Sequence, residues 1–76
     1  MIKELRELDI VKQLEAEGFT VHLVHYEELN QVHFSLSKGN LTSSLNKYQT
    51  NLEIDLFILM LNIQKDALTS HSMFVS

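Results

Sequence analysis

Cysteine is absent from these 76 residues, and glycine occurs only twice, at Gly18 and Gly39. Without thiols there can be no disulfide, no thiol nucleophile and none of the sulfur ligands that structural zinc sites most often use. The lack of cysteine fits a reducing cytosol, so a cytoplasmic location is expected. So few glycines cannot build a phosphate-cradling loop or a dinucleotide fingerprint. The HExxH pattern of metalloproteases and the strand-turn-helix nucleophile elbow are missing as well. Long apolar runs are also absent. The longest, Leu56 to Leu61, is far short of the roughly 20 residues that cross a bilayer and is bounded by Asp55 and Asn62. Met1-Ile2-Lys3-Glu4-Leu5-Arg6-Glu7 is charged from its first turn, so no secretory leader and no membrane partner are expected.

Positive charge is scarce too, and the net charge is -4. The imbalance is local. Residues 1–28 carry Glu4, Glu7, Asp9, Glu15, Glu17, Glu27 and Glu28 against Lys3, Arg6 and Lys12, whereas the remainder is balanced. Such a surface repels phosphate backbones, so direct nucleic-acid binding is not expected.

What is present has the composition of a folded globule: 45% hydrophobic and 21% charged residues. The length allows one domain, residues 1–76, near the lower limit for a single core. Leu5, Leu8, Val11 and Leu14, with Ile10 beside them, predict a helix from about Ile2 to Glu17. A second possible start lies at Asp9, with Leu8 before it as a hydrophobic staple. Gly18 suits the left-handed position after the helix, and Phe19 is placed to pack back on Leu14. Phe19 to Tyr26 and Gln31 to Ser37 alternate in polarity and predict two strands. Glu27-Glu28-Leu29-Asn30 is then a hairpin loop. Pairing Tyr26 with Gln31 sets Leu23 opposite Phe34 and Val21 opposite Leu36, which keeps the apolar residues on one face. Lys38-Gly39-Asn40 is a second turn, and Leu41 to Leu45 reads as a third strand or the start of a short helix, with the strand favoured. Thr50 and Glu53 form the pattern of a capping box that opens a helix from Asn51 to about Leu68. The tail Ser70–Ser76 either docks as an edge strand or frays.

The expected fold is therefore α+β: a small antiparallel sheet of two or three strands with two helices on one face, in the order α-β-β-(β)-α. In element order alone this resembles the double-stranded-RNA-binding domain. That family reads RNA with basic residues at its last helix. Asn51-Leu52-Glu53-Ile54-Asp55 is acidic at this position, so the resemblance stops at topology.

Two groups of polar residues bear on chemistry. His22 and His33 share the polar face of the predicted hairpin as diagonal neighbours, roughly 7–8 Å apart at the backbone. They would be the ligands of a metal site or the members of a pH-sensitive patch; the plainer reading is of polar residues on a solvated sheet, since two ligands do not make a zinc site. His25 falls on the apolar side, at the edge of the core. Ser35, Ser37, Ser43 and Ser44 cluster, but nothing in the sequence sets one beside an oriented base. No cofactor, metal or catalytic residue is expected.

The last helix is unusually apolar: between Leu52 and Ile63 only Glu53, Asp55 and Asn62 are polar. Leu52, Leu56, Leu59, Ile63 and Ala67 make one stripe. Ile54, Phe57, Ile58, Leu61 and Leu68 spread around the other side. One sheet needs only about 100° of apolar helix surface, so part of this helix is expected to meet a second copy, through Ile54, Phe57, Ile58 and Leu61. The function expected is that of a non-catalytic cytosolic interaction or regulatory protein, homodimeric through this helix, with a further protein partner possible. One alternative is an acidic inhibitor that mimics nucleic acid and occupies the basic groove of an enzyme, using Glu4, Glu7, Glu15, Glu17, Glu27 and Glu28. Another is a metal- or pH-responsive protein that uses His22 and His33.

Overall fold

A computed structural model describes residues 1–75 of the chain, and the side chains of residues 1–70. In chain order the elements are α1 (Ile2–Arg6), α2 (Asp9–Ala16), β1 (Thr20–Tyr26), β2 (Gln31–Lys38), β3 (Leu41–Thr42), β4 (Asn46–Gln49) and α3 (Ile54–Val75), with a 3-10 turn at Glu27–Leu29. The fold is α+β: a small antiparallel sheet with helices on one face.

The first helical segment is broken rather than continuous from Ile2 to Glu17. Leu8 is extended, with φ -62° and ψ 140°, and occupies the position before α2, so Asp9 lies in the first turn instead of capping it. The break lets Leu5 of α1 and Val11 and Leu14 of α2 all reach full burial. The end of α2 follows the pattern its residues predict. The Gly18 N–H donates to the Glu15 carbonyl at 3.1 Å and the Phe19 N–H to the Leu14 carbonyl at 3.0 Å, the paired bonds of a Schellman motif. Gly18 has φ +96°, a value that disfavours any side chain. The turn delivers Phe19 to the core beside Leu14.

β1 and β2 pair antiparallel with Tyr26 opposite Gln31, Leu23 opposite Phe34 and Val21 opposite Leu36, the register their alternation implies. Asn30, left-handed at φ 53°, closes the connecting turn. β2 is the central strand. On its far side the third strand is split: β3 pairs with Ser37 and Lys38, and β4 pairs with Gln31 to Phe34. Leu41–Thr42 is thus strand, as favoured. Asn46–Gln49 is a further strand that the residue pattern does not announce.

The core lies between one sheet face and the helices. Val21, Val32, Phe34, Leu36 and Tyr48 come from the sheet; Leu5, Val11 and Leu14 from α1 and α2; Phe57, Leu61 and Leu68 from α3. The Phe57 ring stands edge-on to Phe34 at 5.0 Å between centroids and tilted to Tyr48 at 5.4 Å.

The capping box expected at Thr50 and Glu53 does not form. The Thr50 hydroxyl donates to the Asn30 carbonyl at 3.2 Å, and its N–H donates to the same oxygen at 2.9 Å. Thr50 therefore ties β4 to the β1–β2 turn, and α3 starts three residues later than expected, at Ile54 instead of Asn51. The helix runs on through Val75, so the tail to that point is helical and not an edge strand. The side chains of residues 71–76 lie outside the described residues.

Candidate interaction surfaces

Three surfaces carry the residues singled out in the sequence: the outer side of α3, the open face of the sheet, and the acidic ends of β1.

On α3, side chains advance about 100° per residue. Phe57, Leu61 and Leu68 fall together on the side turned to the sheet and are buried. Phe57 and Leu61, expected at a contact between copies, are fully buried in the core of one chain and are not free for a partner. The reason is the aromatic seat that Phe34 and Tyr48 form for Phe57. Ile58 is half-buried at the margin of the same side, and Ile54 is 40% exposed at the helix start. The other stripe is the free one. Leu56, Leu59 and Ile63 lie on the opposite side of the helix, with Leu52 just before its first residue. Leu59 is 54% exposed and Ile63 is 57% exposed. Ala67 continues the line and is exposed. Asp55, Asn62 and Asp66, all exposed, border it. No helix among the described residues is long and apolar enough to cross a membrane.

The open sheet face carries His22, Val24 and Tyr26 from β1, and Gln31, His33, Ser35 and Ser37 from β2. Val24 stands opposite His33, and His22 opposite Ser35, so the two histidines are diagonal neighbours as expected. Each is engaged separately. His33 Nε2–H donates to Gln31 Oε1 at 3.1 Å, with the Tyr26 ring 4.4 Å away between centroids. His22 Nε2 is hydrogen-bonded to Ser37 Oγ at 3.0 Å. Among the described residues there is no group of three His, Cys, Asp or Glu side chains that could hold a metal. The His22–Ser37 pair has the separation of a base and a nucleophile. Its surroundings supply little else: no described hydrogen bond orients the other His22 nitrogen, and the pair is exposed on an open face. His25 sits half-buried on the core side, opposite Val32.

The acids do not form one continuous row. Glu15 and Glu17 lie before β1, and Glu27 and Glu28 lie after it, separated by seven strand residues, roughly 20 Å. Arg6 pairs with Glu15 at 3.9 Å and Lys65 with Glu17 at 3.3 Å. The N-terminal ammonium reaches Glu4 at 2.6 Å, and that hydrogen bond holds the Glu4 carboxyl below its ordinary range. Glu7 is exposed at the end of α1. Glu27 and Glu28 line an open hollow of about 650 Å³ with His25, Tyr26 and Leu29.

Comparison with protein-family models, with curated proteins and with solved structures finds no match.

Proposed function

We propose that this chain is a non-catalytic interaction or regulatory protein of the cytosol that self-associates through α3. The observation that carries this is the apolar stripe Leu56, Leu59 and Ile63, exposed on the side of α3 turned away from the core, with Leu52 also exposed two residues before the helix begins. A second copy is the occupant that asks least of the chain. A domain of this size buries only about 60% of its unfolded surface, and a twofold contact lets one patch serve both subunits.

The magnitudes fix how strong such a contact is. Full burial of one such side chain contributes roughly 1.5–3 kcal/mol. With four of them about half exposed, two copies together regain roughly 6–12 kcal/mol. Association costs about 4–15 kcal/mol. The two terms are comparable, so the dimer is reversible and depends on concentration.

Sedimentation velocity over a concentration series tests this. The expected result is a monomer at low micromolar concentration that gives way to dimer as concentration rises. Replacing Leu59 and Ile63 by glutamine should abolish the dimer while leaving the circular dichroism unchanged. A chain that stays monomeric at about 1 mM, where contacts as weak as −4 kcal/mol would show, would overturn the proposal.

A further inference from the structure

The outer edge of β1 is a second unpaired surface, distinct from the α3 stripe. Its backbone geometry follows from the neighbouring ladder. The Thr50 N–H bonds to the carbonyl of Asn30, the residue directly opposite it one step beyond the Gln31–Gln49 pair. In an antiparallel ladder each residue turns both its N–H and its C=O to one neighbour, and successive residues alternate. Val32, Phe34 and Leu36 therefore bond away from β1, as Leu36 does toward Ser43. Gln31, His33, Ser35 and Ser37 bond to Tyr26, Val24, His22 and Thr20. Val21, Leu23 and His25 are left with N–H and C=O groups turned outward, where β1 has no neighbouring strand among the described residues. No hydrogen bond among the described residues takes them.

Edges of this kind are normally blunted by charge, proline, a bulge or shortness. The far side of the sheet is blunted in this way, since β3 and β4 have two and four residues and are parted at Ser43–Leu45. β1 has seven residues, Thr-Val-His-Leu-Val-His-Tyr, with no proline, glycine, lysine or acid among them. Acids stand at both of its ends instead. Glu27 and Glu28 enter no ion pair among the described residues and line the hollow where the strand finishes.

We propose that the β1 edge receives an extended segment of a partner protein as an added strand. Its alternate residues are apolar or β-branched, to pack beside Leu23 on the core side. A lysine or arginine beyond them reaches Glu27 and Glu28. Among the described residues, a second copy offers these glutamates no free cation there: in a twofold pairing of β1 about Leu23 they would approach the Phe19 end of the other copy, where Lys38 lies over the Phe19 ring at 4.7 Å and Lys65 is paired with Glu17 at 3.3 Å.

The test is amide hydrogen exchange on the full chain at monomeric concentration, with and without a synthetic peptide of alternating threonine and valine carrying paired lysines at both ends. The Val21, Leu23 and His25 amides should exchange fast in the free protein and slowly with the peptide. Thr20, His22, Val24 and Tyr26 should be protected in both states. N-methylation of alternate peptide amides should abolish binding. Glu27→Gln with Glu28→Gln, both in an exposed turn, should weaken it roughly three- to tenfold. The proposal is overturned by any of four results: the three outward amides already protected in the free monomer; no binding, or shifts confined to α3; a glutamate-ended peptide that binds as tightly; or protection that rises with protein concentration alone, which would give the edge to a second copy.

Discussion

Leu36 and Ser43 exchange two hydrogen bonds, and one of them ends on a side chain. The Ser43 N–H donates to the Leu36 carbonyl at 2.8 Å, while the Leu36 N–H donates to Ser43 Oγ at 2.8 Å. The hydroxyl oxygen takes the place of a ladder carbonyl where the third strand breaks between β3 and β4. Leu36 is fully buried, so losing that acceptor leaves a backbone donor without a partner. Ser43→Ala should destabilise the chain by roughly 1–3 kcal/mol in urea denaturation. Ser43→Thr keeps the hydroxyl and should recover most of the loss. Ser44→Ala, at an exposed neighbouring position, should stay within about 0.5 kcal/mol of the parent. An accelerated Leu36 amide in the alanine variant would identify the mechanism.

Tyr48 makes stability depend on alkaline pH. It is 2% exposed, and its hydroxyl donates to the Leu52 carbonyl at 2.6 Å. Burial raises its phenol above the ordinary 10.0. A group whose pKa rises on folding holds its proton more tightly in the folded state. Its contribution is complete below the unfolded value and is lost as pH climbs through that value toward the folded one. Stability should therefore fall above about pH 10, and Tyr48→Phe should flatten that fall. At neutral pH the same variant should lose about 1 kcal/mol with the hydrogen bond. Equal alkaline slopes in the two proteins would assign the loss to other groups.

Asn46 is the converse case. It stands opposite Phe34 on the core side of β4, and its buried Nδ2 has no hydrogen-bond partner among the described residues. Valine is a β-former of similar size with nothing to satisfy. Asn46→Val should stabilise the chain by about 1 kcal/mol, which raises the melting temperature of a domain this size by roughly 4–8 °C. A lowered melting temperature would mean that the amide finds a partner in solution.

The parts of the fold legible in the sequence are those written in local periodicity. Slipping β1 by one residue would turn Val21 and Leu23 to the open face, and the short turn between Tyr26 and Gln31 excludes a slip of two, so alternation and turn length together specify the register. Gly18 and Phe19 likewise announce the end of α2. The parts that were not legible depend on distant partners. Thr50 and Glu53 spell a capping box, yet the Thr50 hydroxyl finds the Asn30 carbonyl 20 residues away. β4 is four residues with one buried side chain, Tyr48, too short for alternation to show. The two stripes of α3 are visible as stripes. Which of them faces the core is not, because both are apolar. The choice is made by the rings of Phe34 and Tyr48, which belong to other strands.

That choice can be measured directly, by comparing Phe57→Ala with Leu59→Ala at a concentration where the chain is monomeric. Phe57 is fully buried, and truncating such a residue costs about 3–5 kcal/mol. A domain of 76 residues has a total stability of roughly 4–11 kcal/mol, so Phe57→Ala should leave it marginal or unfolded at 37 °C. Leu59 is 54% exposed on the other side of the helix. Its truncation removes little monomer burial, and alanine is the better helix former, so the unfolding free energy from urea denaturation should change by no more than about 0.5 kcal/mol. The order reverses for self-association. Leu59→Ala should weaken the dimer while the fold stays intact, so sedimentation responds where denaturation does not. If Leu59→Ala lowered monomer stability as much as Phe57→Ala, the outer stripe would be part of the core and the proposed contact on α3 would be lost.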